Sequence, residues 1–146
     1  MILSNQEARA ILQDAELIRS ADQVQAAVRR VALAINAALA GQRPLVLSVM
    51  GGAVVFTGQL LPMLDFPLDF DYLHVSRYGN DKKGGELHWK VAPRENVRGK
   101  VVLVVDDILD EGETLYAIRQ RVMELGARSE ERRVGKECRS RWSPYH

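Results

Sequence analysis

Residues 101–115, VVLVVDDILDEGETL, decide how this chain is read. Five apolar residues run into Asp106 and Asp107, and two more apolar residues precede Asp110, Glu111, Gly112, Glu113 and Thr114. An unbroken apolar run of this length, β-branched almost throughout, is a strand buried on both faces. Carboxylates crowded at its end oppose one another's ionisation. Something positive, or something rich in hydroxyls, is therefore expected beside them.

The segment Asp110–Thr114 joins that strand to a helical pattern. Backbone N–H groups at such a junction can turn inward around a phosphate, where the helix dipole favours an anion. Gly112 permits the tight backbone and Thr114 adds a hydroxyl donor. Glu111 and Glu113 have to point to solvent, which leaves recognition to the backbone. The loop lacks the Gly-Lys-Ser/Thr ending of a nucleoside-triphosphatase loop, so that reading fails. Asp106 and Asp107 can accept hydrogen bonds from vicinal sugar hydroxyls, and they can hold an Mg²⁺ that keeps much of its own water. A helix cap needs one Asp; a pair followed by Asp-x-Gly-x-Thr asks for a ligand.

Working outward, the first forty residues read as helices. Ser4 and Glu7 have capping-box spacing, with Ile11, Leu12 and Ile18 on one face. Asp22 is placed to cap a second helix, in which Val24, Val28, Val31, Ala32, Ile35 and Leu39 recur at helical spacing until Gly41. Both stripes are expected to pack into the core. After Pro44, LVLSV is a short buried strand, Gly51-Gly52 breaks it, and AVVFTGQLLPML follows as a helix. LDFDYLHVSRY alternates as a half-exposed strand does. GNDKKGGE reads as a polar loop, LHWKVA as a short strand returning from it, and TLYAIRQRVMEL as a helix closed by Gly126. The fold expected is α/β, a parallel sheet flanked by helices. Ligands bind such sheets beyond the carboxyl ends of the strands, where Gly51-Gly52 and the acidic stretch both fall.

A chain of 146 residues, 47% apolar and 27% charged, suits one soluble domain. A net charge of +1 gives no electrostatic reason to expect nucleic acid or a membrane surface as partner. No apolar run approaches the ~20 residues of a membrane span, and the N-terminus has no basic region followed by an apolar core. A cytoplasmic location is the expectation. The single Cys138 excludes an internal disulfide framework. Residues 129–146, with five basic and three acidic side chains, keep neither strand alternation nor a helical face. The expected division is a partial domain over 1–128 and an unrelated or disordered basic tail over 129–146.

The run through Leu115 resembles the phosphoribosyl pyrophosphate-binding motif of type I phosphoribosyltransferases. LSVMGGAVVF resembles the first active-site loop of the hypoxanthine–guanine branch, and VSRYGND the start of its closing loop. The resemblance spans roughly residues 5–128. It implies a purine salvage enzyme that moves a 5-phosphoribosyl group from phosphoribosyl pyrophosphate to hypoxanthine or guanine, giving IMP or GMP and pyrophosphate, with Mg²⁺. Asp106 and Asp107 would hold the ribose hydroxyls, directly or through Mg²⁺. Asp110 would face N7 of the purine as general acid or base, and residues 111–114 would wrap the 5′-phosphate. Met50, Gly51 and Gly52 would approach pyrophosphate through their backbone, and Arg77 and Tyr78 sit where the closing loop begins. Family members usually associate, so a homo-oligomer is implied for a full-length parent.

In this family the motif helix leads into a further strand, whose end supplies a purine-reading Lys. Here an unrelated-looking tail follows Arg128. Lys136 and Trp142 have the right side chains in the wrong surroundings, so those roles are not carried over. The fold is expected to be incomplete at the C-terminus. A regulatory module that binds phosphoribosyl pyrophosphate without turnover, and an inactive truncated product, are the other readings. Tyr78 and Asp110, which a sensor need not keep, favour enzyme ancestry.

Overall fold

The computed structural model of the chain describes residues 2–78, 86–108 and 112–128. Its elements run α1 (Asn5–Asp14), α2 (Ala21–Leu39), β1 (Leu45–Met50), α3 (Val54–Leu60), β2 (Asp69–Tyr78), β3 (Glu86–Val91), β4 (Val102–Val105) and α4 (Glu113–Glu124). A 3₁₀ turn at Leu61–Met63 extends α3, and another at Glu95–Val97 precedes β4. The strand order is β3-β2-β1-β4. β1 pairs in parallel with both β2 and β4, while β3 returns antiparallel along β2. The sheet is thus parallel at its centre and mixed overall, with LHWKVA supplying the antiparallel edge.

Strand β1 is central because its side chains are apolar in both directions. Val46 faces a cluster with Val28, Ala32, Ile35 and Leu39 of α2, Leu60 of α3, and Val105. Leu45, Leu47 and Val49 face the other way, against Leu73, Val97, and Ile118 and Val122 of α4. Helices therefore cover both faces, α2 and α3 on one and α4 on the other. Each fully buried Leu or Ile here contributes on the order of 1.5–3 kcal/mol by leaving water.

The two N-terminal helices divide. Both begin with a complete capping box: Ser4 with Glu7, and Ser20 with Gln23. Ser20, not Asp22, is the cap of α2; Asp22 lies in the first turn, where its charge suits the helix dipole. The stripe of α2 packs as expected. That of α1 does not: none of its residues is buried, and Ile11 and Leu12 are 58% and 76% exposed. The reason is local. The chain turns extended at Ala15, so Ile18 lies beyond the helix and the face is too short to continue.

At the amino ends of the strands, carboxylates meet cations. Lys100 Nζ donates to Asp69 at 2.6 Å and Arg43 donates to it at 3.1 Å. Asp71, two residues along β2, accepts from Asn96 at 3.1 Å and has Arg94 at 3.8 Å. The Lys100 hydrogen bond holds the Asp69 carboxyl below its ordinary range, with Arg43 adding to the effect. These contacts join the segments entering β1, β2 and β4.

Candidate functional site

Two strand-to-helix junctions meet at the carboxyl ends of β1 and β4. The pairing of Ser48 with Val105 sets them side by side, since each junction begins within a few residues of that pair. After β1 the chain turns through Met50–Ala53 into α3, and the Met50–Gly51 peptide is cis. Hydrogen bonds from Ala53 N–H to Val49 O (3.2 Å) and from Val54 N–H to Gly51 O (3.2 Å) close the turn. After β4 come Asp106 and Asp107, with the Asp107 N–H donating to Asp106 Oδ1 at 2.8 Å.

The junctions touch at Gly52. A Cβ placed there would lie 2.6 Å from both carboxylate oxygens of Asp107, closer than atoms can approach. The sequence reading gave Gly52 to the backbone approach toward pyrophosphate. The structure adds a second reason for glycine: the absent side chain makes room for Asp107. No spacing rule reveals this, because the partners are 55 residues apart in sequence.

Asp106 is half-buried. Burial, and then the adjacent Asp107 side chain, push its carboxyl up to about 6. Among the described residues the ionisable group acting on it is another acid, the reverse of the arrangement at Asp69. Among the described residues, no group of three or more His, Cys, Asp and Glu could form a metal cage. Two adjacent carboxylates suit Mg²⁺ nonetheless, because that ion is commonly held by one or two carboxylates plus water and substrate phosphate. The raised Asp106 carboxyl, beside a second acid, fits such a cation.

Helix α4 opens at Gly112, whose left-handed backbone (φ 81°) forms the N-cap without a side-chain capping bond. Its dipole favours an anion there. Glu113 is exposed, as a phosphate-binding role for the backbone requires, and Thr114 is half-buried. Asp110 and Glu111 lie outside the described residues, as do residues 79–85 and 129–146. Tyr78 is the last residue of β2. Thus Met50, Gly51, Gly52, Asp106 and Asp107 come together, with Gly112, Glu113 and Thr114 beginning the helix that follows. Sequence reasoning missed Ser48 and Thr57, a buried pair beneath the first junction; two hydroxyls among apolar neighbours, nine residues apart, were the available signal.

The phosphoribosyl transferase domain family matches residues 17–131. A hypoxanthine-guanine-xanthine phosphoribosyltransferase of Tritrichomonas foetus is 36% identical over 97 residues, covering 66% of this chain and 53% of its own length. A hypoxanthine-guanine phosphoribosyltransferase of Streptococcus pneumoniae is 27% identical over 115 residues, covering 78% of this chain and 64% of its own. The chain therefore spans about half to two thirds of the length of these relatives. A hypoxanthine-guanine phosphoribosyltransferase structure from Bacillus anthracis aligns with a TM-score of 0.73 at 24% identity, covering 83% of this chain and 80% of that one, and so shares the fold.

Proposed function

The chain belongs to the phosphoribosyl transferase domain family, and from that premise we propose that it carries the phosphoribosyl pyrophosphate site of a purine salvage transferase. The reaction transfers the 5-phosphoribosyl group to hypoxanthine or guanine and releases pyrophosphate. The observation that carries the reading is the meeting of Gly52 and Asp107, which joins a glycine turn to an acidic pair directly upstream of a helix N-terminus.

In this proposal the Met50–Gly52 backbone approaches the pyrophosphate. Asp106 and Asp107 hold the ribose hydroxyls, directly or through Mg²⁺. The backbone of residues 111–114 receives the 5′-phosphate at the start of α4. Mg²⁺, when bound, would offset negative charge developing on the departing pyrophosphate. Asp110 would hold or move the proton at N7 of the purine, a role typically worth ~10²–10⁴-fold in rate. Tyr78 begins the segment that would exclude water from the reactive sugar carbon. The hypoxanthine–guanine assignment draws on the named relatives from T. foetus and S. pneumoniae.

Calorimetric titration of the chain with phosphoribosyl pyrophosphate and Mg²⁺ tests the binding half. Saturable binding that needs the metal is the expected result; no heat at millimolar ligand would overturn it. Conversion of labelled hypoxanthine or guanine to its nucleotide tests the transfer half.

A further inference from the structure

We infer that the Ser48–Thr57 hydroxyl pair is a positioning contact that holds the Met50–Ala53 turn in register with Asp107; this rests on the reading of that turn as part of the phosphoribosyl pyrophosphate site. Ser48 of β1 and Thr57 of α3 are 0% and 4% exposed, and their hydroxyl oxygens lie 2.7 Å apart. Among the described residues these are the two buried polar side chains, and they bond each other. Ser48 follows Val46 on the face of β1 that meets α2 and α3, so its surroundings are apolar.

Stability does not call for such a pair. Replacing both partners of a buried hydrogen bond by apolar groups of like shape is often neutral or favourable. A hydrogen bond supplies direction instead, because it fixes a distance and an angle between two elements that apolar packing alone would let slide. Here those elements bracket the turn. Ser48 lies two residues before Met50, and Thr57 four residues after Ala53, to whose carbonyl its own N–H donates at 2.8 Å. The start of α3 has no side-chain capping bond that could anchor the turn in another way.

The register also matters on the far side. Ser48 lies opposite Val105, the residue before Asp106. The contact fixes α3 to β1, and the β1–β4 pairing carries that register to the strand that delivers the acidic pair. Gly52 lies against the Asp107 carboxylate, so that an added methyl group would have to displace that side chain. A turn with that little clearance needs a fixed support, and misplacement of about 1 Å at a reacting site can cost up to ~100-fold.

The test compares Thr57→Val, which keeps shape but removes the hydroxyl, with Thr57→Ser, which keeps the hydroxyl. Three quantities are measured on the whole chain: affinity for phosphoribosyl pyrophosphate with Mg²⁺, hydrogen exchange of the Ala53 and Val54 amides, and the thermal midpoint. Thr57→Val should bind roughly tenfold more weakly and exchange those amides roughly tenfold faster relative to the amides of α4, with a lowered midpoint because the buried Ser48 hydroxyl loses its partner. Thr57→Ser should match the parent in affinity and exchange. Wild-type exchange in Thr57→Val, or equal damage in Thr57→Ser, overturns the inference. Should Thr57→Val fail to fold, Ser48→Ala carries the same readings. If the parent chain binds no ligand while Thr57→Val still loosens the turn, the positioning contact stands and the proposed function falls.

Discussion

The two ends of the same parallel strands treat carboxylates in opposite ways. At the amino end, Asp69 sits between Lys100 and Arg43, and its carboxyl is held below the ordinary range. At the carboxyl end, Asp106 sits half-buried beside Asp107, and its carboxyl is pushed up to about 6. One end is neutralised within the chain and serves the fold. At the other, burial and a second carboxylate act on Asp106 among the described residues, which suits a site for a cation or a hydroxyl-rich ligand. The contrast teaches where function lies more directly than either end alone, because both ends belong to one sheet and differ in burial and in charged neighbours.

The strongest way to break the contrast is to remove the acidic pair. Asp106→Asn with Asp107→Asn should weaken binding of phosphoribosyl pyrophosphate with Mg²⁺ on the order of 100-fold or more, since ribose and metal both lose anionic partners. Calorimetry decides it. Unchanged affinity in the double variant would remove these residues from the site.

Next in size is Gly52→Ala. The added Cβ would stand 2.6 Å from the Asp107 carboxylate, so either the turn or Asp107 must move. We expect roughly tenfold weaker binding of the same ligand, in line with the sensitivity of sites to sub-ångström misplacement. Gly58→Ala, on α3 and outside the proposed site, offers the contrast, since a Cβ there meets nothing within 4 Å. Equal losses in the two variants would show that Asp107 is not the cause.

A smaller effect sharpens the charge argument without any ligand. The Asp106 carboxyl is raised in the folded chain, so its ionised form opposes folding at pH values above about 6. That penalty is relieved as pH falls through 6 toward the unfolded value near 4. Asp106→Asn should therefore raise the thermal midpoint by roughly 2–5 °C at pH 7.5 and leave it nearly unchanged at pH 4. Melting curves at the two pH values would show it, and a lowered midpoint at pH 7.5 would contradict it.

Much of this was legible from residues 101–115, because an apolar strand, an acidic pair and a glycine-started helix follow one another in sequence. The strand is less covered than its apolar run predicts, since within β4 only Val105 is buried and its one partner strand among the described residues is β1. The β1 turn was legible for the same reason, as Gly51-Gly52 interrupts an apolar run. What escaped was contact between distant segments. The meeting of Gly52 with Asp107 and the Ser48–Thr57 bond depend on the pairing of β1 with β4, which no local pattern states. Helix α1 escaped differently. Its capping box forms as the spacing predicts, yet capping fixes only where a helix starts, and none of its residues is buried.

The smallest expected effect lies at the amino end and should touch stability alone. Lys100 and Asp69 are each about one-third exposed, so water screens their attraction. Lys100→Met keeps much of the aliphatic stem while removing the charge that faces Asp69. The midpoint at pH 7 should drop by about a degree or two. The sign with pH is opposite to that at Asp106. A carboxyl held low contributes stability above its unfolded pKa and loses it as pH falls through the folded value. The difference between Lys100→Met and the parent should therefore be present at pH 7 and shrink on acidification below 4. Binding of phosphoribosyl pyrophosphate should be unaffected, because Lys100 precedes β4 while the acidic pair follows it. A loss of affinity at unchanged midpoint would mean that the two ends are coupled through β4, and would undo the division of labour between them.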